Sequence, residues 1–287
     1  MPYQTAMGYL MVFGSAFCFY LATVIIKWSK LAGLSIDSSL FTIARFVFGF
    51  LTVVTVMILG RQRIKIRKKR YLVGRALGNA MAVYCFFKAV DLTSVAQANI
   101  LNMTYPLFIA LFSWILYQDQ RDKWVAFIVL VAFSGVMLIL GPGELEFDRN
   151  AVWGLGSGLS AGVAIMYLNL SRKVHDTQTT LFVMFTLGGL VVFALFFHEM
   201  RMPSMEELYY LFFCSAIAIV GQYLLTTGFK YVTPIEGSII SSTRILLAAI
   251  LGPFIAMDPS LGPAGWGGAF LIFFGNICLT IRKARKK

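Results

Sequence analysis

The sequence predicts an all-α polytopic membrane protein with ten transmembrane helices. Three observations support this fold class: 59% of the 287 residues are hydrophobic, only 13% are charged, and apolar stretches follow one another almost from end to end. A bilayer core takes roughly 20 apolar residues per helix, whereas a soluble domain has about 25% charged residues. The hydrophilic runs 61–70 and 141–150 are too short to bury a core of their own.

Short polar segments separate the ten predicted helices. The first apolar stretch is expected to stay as a helix, because it lacks a basic leader and exceeds the roughly 7–15 apolar residues of a signal peptide. The expected bounds are Ala6–Ile26, Ser38–Gly60, Tyr71–Val90, Ser94–Tyr117, Lys123–Gly141, Ala151–Ser171, Gln178–His198, Glu207–Phe229, Thr233–Ala256 and Pro263–Ile281.

Basic residues are distributed unevenly between the two sides of this bundle. Among the Lys and Arg residues outside the helix interiors, 17 fall on one side, including seven in 61–70 and five in 282–287, and 5 fall on the other. Cytoplasmic loops retain positive charge, so both termini are expected in the cytoplasm. The net charge of +12 then reflects topology, together with attraction of segment 61–70 to anionic membrane lipids, and no nucleic-acid partner is expected.

The two halves of the chain contain related segments. Residues 89–104 parallel residues 228–243 at a shift of 139, which also aligns Asp119 with Asp258. Five helices per half is an odd number, so the second copy enters the membrane upside down, as in many secondary transporters. We therefore expect two inverted five-helix repeats, 1–143 and 144–287.

Helix 4 carries a polar stripe. Asn99, Asn102 and Tyr105 recur every three positions, and a polar stripe facing lipid would be costly, so it is expected to face inward. Pro106 has no N–H for the carbonyl of Asn102, which predicts a kink there and leaves that carbonyl open to a ligand or water. The stripe either binds substrate or joins neighbouring helices by hydrogen bonds.

Arg244, near the middle of helix 9, is the main candidate for substrate binding. A charge at the bilayer centre costs at least a few kcal/mol and therefore normally faces a polar cavity. The planar guanidinium is suited to a carboxylate or phosphate, although an ion pair with Glu236 is the structural alternative. Ser241 lies one turn before Arg244, and Glu236 is the candidate for proton coupling. Passive exchange and facilitated export are equal alternatives to coupled transport.

Five further polar residues lie at helix positions of interest. Asn79, Gln222 and Tyr223 lie at comparable depth and either complete the lining or serve packing. Arg45, about two turns from the outer end of helix 2, is a candidate to attract an anionic group. Arg75, about one turn from the inner end of helix 3, is expected to reach lipid headgroups or a cytoplasmic gate.

Short patterns across the chain resemble a known family. They are Ala-Arg-Phe at 44–46, Arg75, Asp-Leu-Thr-Ser at 91–94, Tyr-Pro at 105–106 and Tyr-Val-Thr-Pro-Ile-Glu at 231–236. With them the chain resembles the drug/metabolite transporter superfamily, specifically its ten-helix EamA-type proteins, over nearly its whole length. It is also similar to the S-adenosylmethionine carriers and to amino-acid and metabolite exporters. Asp119 and Asp258 stand where this family usually has a Gly-Glu pair.

The resemblance implies a secondary transporter that works by alternating access. We expect a small-molecule substrate that is polar and amino-acid-like or anionic, no cofactor, and a location in the bacterial inner membrane. Cysteine and histidine occur singly, without the spacing of a metal site. A lipid or lipid-linked sugar flippase is the alternative, and would need a lateral opening lined by aromatic residues such as Trp114 and Trp153. A membrane-embedded enzyme is disfavoured because no catalytic cluster is visible.

Helix 6 contains glycines every four residues, at Gly154, Gly158 and Gly162. Small residues at this spacing allow close helix approach. They are expected to serve internal packing, with a homodimer seam as the alternative.

Overall fold

The computed structural model describes residues 2–116, 123–140, 149–232 and 234–285, and within these ranges the regular secondary structure is helical. The α-helices are α1 Pro2–Leu31, α2 Ser38–Leu59, α3 Lys69–Leu92, α4 Val95–Asn102, α5 Tyr105–Leu116, α6 Lys123–Leu140, α7 Val152–Ser171, α8 Thr177–Phe196, α9 Met205–Gly228, α10 Pro234–Leu251 and α11 Pro263–Arg285. Short 3₁₀ turns cover Arg149–Ala151 and Phe197–Glu199.

Six of the described segments are long and apolar enough to cross a membrane. They are Ala6–Leu31, Ser38–Leu59, Val95–Phe112, Arg149–Ser171, Thr177–Glu199 and Met205–Gly228. Lys123–Ile139, Ile240–Ala256 and Pro263–Leu279 are shorter apolar helices. A chain built in this way is an integral membrane protein.

The first helix is longer than predicted, since α1 continues past Ile26 to Leu31. Lys27 Nζ lies 3.3 Å from a carboxylate oxygen of Asp258, and Lys30 Nζ lies 2.6 Å from one of Asp91. These ion pairs hold the charged end of α1 against α3 and against the irregular segment after Ala256, so the helix does not stop where the apolar run stops.

The predicted fourth helix is two helices, α4 and α5, separated by Met103 and Thr104. The break falls where Pro106 was expected to kink the chain, because proline cannot donate to the carbonyl of Asn102. The carbonyl of Thr104 instead accepts the N–H groups of Leu107 (2.9 Å) and Phe108 (3.2 Å) and starts α5.

The predicted ninth helix also ends irregularly. α10 stops at Leu251 and continues as a π-helical turn over Gly252–Ala256, in which Pro253 supplies no N–H. Met257 then takes a left-handed conformation with φ +52° and ends the element.

The glycines of α7 pack inside the protein. A Cβ added to Gly158 would overlap the hydroxyl of Thr104, and one added to Gly154 would lie 2.8 Å from Leu101 Cβ. A Cβ on Gly162 would lie 3.2 Å from Phe108 Cβ. The glycine face therefore brings α7 close to α4 and α5. The carbonyl of Asn102 also lies against Gly158, where an added Cβ would approach it to 3.3 Å.

The long helices pair between the two halves of the chain. α1 packs along α9, α3 along α7, α2 against α8, and α6 along α11. Gly135 and Gly268 allow the close approach of α6 and α11, since a Cβ on Gly135 would lie 2.8 Å from the carbonyl oxygen of Gly268. The largest apolar core includes Phe41, Phe46 and Phe185, and the polar cavity described next lies beside it.

Candidate functional site

A cavity of about 100 Å³ lies inside the bundle, between α1, α2, α3, the junction of α4 and α5, α7, α9 and α10. This volume holds several water molecules or a small polar group. Its polar lining consists of Ser15, Arg45, Arg75, Asn79, Asn102, Tyr105, Gln222, Ser241 and Arg244. Its apolar lining consists of Ala16, Phe19, Ala82, Val83, Phe86, Met103, Ala161, Ala164, Ile165 and Leu225.

Arg244 reaches the cavity from the middle of α10 and is only 5% exposed. Its Nη2 donates to Oδ1 of Asn102, and Nδ2 of Asn102 donates to the hydroxyl of Ser157 at 2.5 Å. The guanidinium carbon also lies 5.2 Å from the ring centre of Phe86 and 5.9 Å from that of Phe19. Hydrogen bonding and cation–π contact thus hold this group in place.

Arg45 is the second buried cation of the lining. It is 4% exposed, and its guanidinium carbon lies 5.3 Å from the ring centre of Phe19 and 5.8 Å from that of Phe87. Its position is consistent with the expectation that it attracts an anionic group.

A role of Arg75 at a cytoplasmic gate stays a prediction, but the expectation that it reaches lipid headgroups was wrong. The residue is 3% exposed and lines the cavity. The reason is its position four residues before Asn79, which places both side chains on one face of α3. This face lines the cavity, whereas the adjacent face with Gly74 and Gly78 packs against Tyr167 and Ala164 of α7.

The three arginines form a cluster of positive charge. Arg45 lies close enough to Arg75 and Arg244 for their charges to repel. No carboxylate in the part of the chain that the structure describes forms an ion pair with any of the three, and the Nε of each has no acceptor. The described part of the lining therefore carries positive charge without a paired carboxylate, and an anion is a suitable ligand for it.

Three other predicted residues also line the cavity. Nδ2 of Asn79 and the hydroxyl of Ser241 have no hydrogen-bond partner among the described groups. Nε2 of Gln222 donates to the hydroxyl of Thr226 at 3.2 Å. The side chain of Glu236, the candidate for proton coupling and the alternative partner of Arg244, lies outside the described part of the structure.

Asn99 does not line the cavity and instead joins neighbouring helices, which is the alternative expected for the stripe. Its Nδ2 donates to the hydroxyl of Thr23 at 3.0 Å and to the carbonyl of Val95 at 2.8 Å. Residues three apart on a helix differ in direction by about 60°. Here this angle turns Asn99 toward α1, while Asn102 faces the cavity.

Tyr223 does not line the cavity either. Its hydroxyl donates to Oε1 of Gln178 on α8 at 3.1 Å. Adjacent helical positions point about 100° apart, so Gln222 faces inward and Tyr223 faces α8.

Several cavity residues could not be recognised from the sequence. Phe19 and Phe86 contact the arginines, but nothing distinguishes them among 26 phenylalanines. Ser15 lies four residues before Phe19, which places both residues on one face of α1. Ser157, which lies outside the lining and accepts a hydrogen bond from Asn102, was likewise not distinguished from the other small residues of α7.

Cysteine labelling tests this arrangement. In a background without the four native cysteines, Cys at position 102 or 105 is expected to react with a small water-soluble thiol reagent from one side of the membrane. Asn99→Cys is the matched control and is expected to stay unreactive, because its side chain is fully buried between α4 and α1. The placement of the cavity fails if Asn102→Cys and Tyr105→Cys are both unreactive from both sides.

The apolar helices and the buried polar cavity define a polytopic membrane protein. Residues 6–141 and 149–281 each match the model of the EamA-like transporter family. The chain therefore belongs to the EamA-like transporter family, within the drug/metabolite transporter superfamily.

Several curated proteins are similar to the chain. The pseudopaline exporter CntI of Pseudomonas aeruginosa is 26% identical over 202 residues, which cover 69% of this chain and 66% of the exporter, just under two thirds. Solute carrier family 35 member G1 of Mus musculus is 23% identical over 94% of this chain and 77% of its own length. An uncharacterized transporter of Archaeoglobus fulgidus is 27% identical over 76% of this chain and 78% of its own.

A solved crystal structure shares the fold. It superimposes with a TM-score of 0.63 and 19% identity, and the match covers 95% of this chain and 97% of the other.

Proposed function

We propose that the protein is a secondary transporter that moves a small polar metabolite, amino-acid-like or anionic, across the membrane by alternating access. The observation that carries this proposal is the cluster of Arg45, Arg75 and Arg244 in the lining of an internal cavity. An intramembrane cation that faces a cavity is expected to act in transport. The similarity to an exporter supports the same function.

Ten membrane-spanning helices in two inverted repeats, 1–143 and 144–287, belong to this proposal. The family model matches the chain twice, at 6–141 and 149–281. In this arrangement α1, α2 and α3 correspond to α7, α8 and α9. The packing is symmetric under this exchange: α1 packs on α9 as α7 packs on α3, and α2 packs on α9 as α8 packs on α3. In inverted-repeat transporters such an exchange relates the two access states.

At one end of the bundle, Lys27 and Trp28 of α1 contact the segment after α10. We call these contacts the α1 latch. Lys27 pairs with Asp258 at 3.3 Å, and Oδ2 of Asp258 accepts the backbone N–H of Ala96 at 3.1 Å. Nε1 of Trp28 donates to the carbonyl of Ile255 at 2.8 Å. The latch joins α1, α4 and the segment after α10, which supports a state closed at this end.

Solute exchange in proteoliposomes tests the function. Liposomes with the purified protein and loaded with an organic acid or an amino acid are expected to accumulate the labelled solute from outside by counterflow, while empty liposomes do not. A thermal unfolding transition checks that the purified protein is folded. If folded protein shows no counterflow for any amino acid or organic acid tested, the transport proposal is contradicted.

The proposed orientation places both termini in the cytoplasm of a bacterial cell, with the α1 latch at the outer face. Segment 61–70 then faces anionic lipids of the inner leaflet, and its seven basic residues support this placement. Alkaline phosphatase, which is active only outside the cytoplasm, is expected to be inactive when fused after Lys287. An active fusion reverses the orientation and moves the latch to the inner face.

A further inference from the structure

Hydrogen-bond donors dominate the lining of the cavity. Every buried side-chain atom of this lining that has no partner among the described groups can donate a hydrogen bond: Ser15 Oγ, Arg45 Nε, Arg75 Nε, Asn79 Nδ2, Ser241 Oγ and Arg244 Nε. The Oδ1 of Asn99, which can only accept, belongs to a residue outside the lining. Unsatisfied buried donors are costly, so a ligand that suits this cavity supplies several acceptor oxygens.

The charge of the lining also favours anions over zwitterions. It contains three guanidinium groups and, among its described residues, no carboxylate. A single carboxylate on the ligand leaves two of the three positive charges without a partner. An ammonium group on the ligand meets repulsion from the arginines and finds no described anionic partner there.

The geometry places two of the cations within reach of one small molecule. The guanidinium carbons of Arg45 and Arg244 lie 5.3 Å and 5.9 Å from the centre of the same Phe19 ring. Phe19 and Phe86 offer an apolar surface beside the guanidinium groups for a short carbon chain. Guanidinium groups bind carboxylate and phosphate groups with paired hydrogen bonds.

We propose, on the basis of the transport function proposed above, that the substrate is a small organic acid with at least two anionic groups. Arg45 and Arg244 each bind one of these groups, and Arg75 adds to the positive potential. The chemistry required is that of carboxylate or phosphate oxygens on a short carbon skeleton. An amino group on that skeleton adds nothing to binding.

A series of acids on matched skeletons tests this proposal. Isothermal titration at constant pH and ionic strength compares butyrate, succinate, 3-phosphonopropionate, 2-aminobutyrate and aspartate on the purified protein. Succinate or 3-phosphonopropionate is expected to bind at least about tenfold more tightly than butyrate, because a second charge-assisted contact forms. Aspartate is expected to bind no more tightly than succinate. Which of the two dianions binds better identifies the second group as carboxylate or phosphate-like.

Equal binding of butyrate and the dianions, tightest binding of 2-aminobutyrate, or binding of none of the acids overturns the proposal. Arg45→Gln is expected to reduce the ratio of succinate to butyrate affinity to about one. Arg172→Gln, which changes a partly buried arginine outside the lining, is the matched control and keeps the ratio. If Arg45→Gln does not fold, Arg45→Lys replaces it and is expected to lower the ratio of succinate to butyrate affinity. The titrations of the native protein test the proposal without any variant.

Counterflow with the same solutes separates this inference from the transport function. Exchange of 2-aminobutyrate without exchange of succinate supports transport but contradicts the inference that the substrate is a dianion. Tight binding of succinate with no exchange of any solute gives the opposite result. The protein then binds a dianion as inferred, but the transport proposal is contradicted.

Discussion

Replacing Arg244 with Ala is expected to weaken substrate binding by roughly 30-fold to several thousand-fold. Removing one member of a buried charged contact typically costs about 2–5 kcal/mol, and every 1.4 kcal/mol is about tenfold in affinity. Arg244→Lys keeps the charge but loses the planar fork, so its affinity is expected to lie between those of the native protein and Arg244→Ala. The measurement is the concentration dependence of exchange in proteoliposomes.

A stability assay accompanies these variants, because Arg244 also donates to Asn102. Arg172→Ala is the control, since Arg172 lies at the end of α7 and outside the cavity lining. Its exchange is expected to be unchanged. If Arg244→Ala folds normally and exchanges substrate with native affinity, Arg244 is structural and the binding site is misplaced.

Breaking the α1 latch is expected to open one end of the protein. Lys27→Met leaves the fully buried carboxylate of Asp258 without its cation. Breaking a fully buried pair costs about 3–5 kcal/mol and an exposed one about 0–1 kcal/mol. Lys27 is 23% exposed, so we expect about 2 kcal/mol, or roughly a 30-fold shift toward the open state. The rate at which Tyr105→Cys is labelled from the latch side measures this shift.

Lys30→Met is the matched control for the latch. The pair of Lys30 and Asp91 lies at the same end of α1 but is more exposed, at 38% and 20%. Its removal is expected to change the labelling rate less than about fivefold, since exposed pairs contribute at most about 1 kcal/mol. Equal rates in Lys27→Met and Lys30→Met would mean that the latch does not control access.

Hydropathy and proline positions predicted the helices, but the direction of individual side chains depended on residues far away in the sequence. The hydropathy pattern located the helices, and the missing N–H of Pro106 located the break between α4 and α5. The last turn of α1 was missed because it depends on Asp258, more than 200 residues away in the chain. The sequence alone could not tell that Asn99 bonds Thr23 while Arg75 turns into the cavity, because neighbouring helices decide both.

In the proposed cycle, the arginine cluster makes the empty protein sensitive to membrane voltage. An elementary charge that crosses 100 mV gains or loses about 2.3 kcal/mol, in proportion to the part of the field that it traverses. With an interior-negative potential, three positive charges favour the conformation in which the vacant site faces the cytoplasm. A bound dianion cancels two of them, so the loaded protein reorients with little electrical bias. Voltage therefore acts mainly on the return of the unloaded carrier. It returns the empty site to the cytoplasmic side, where the site can bind solute again.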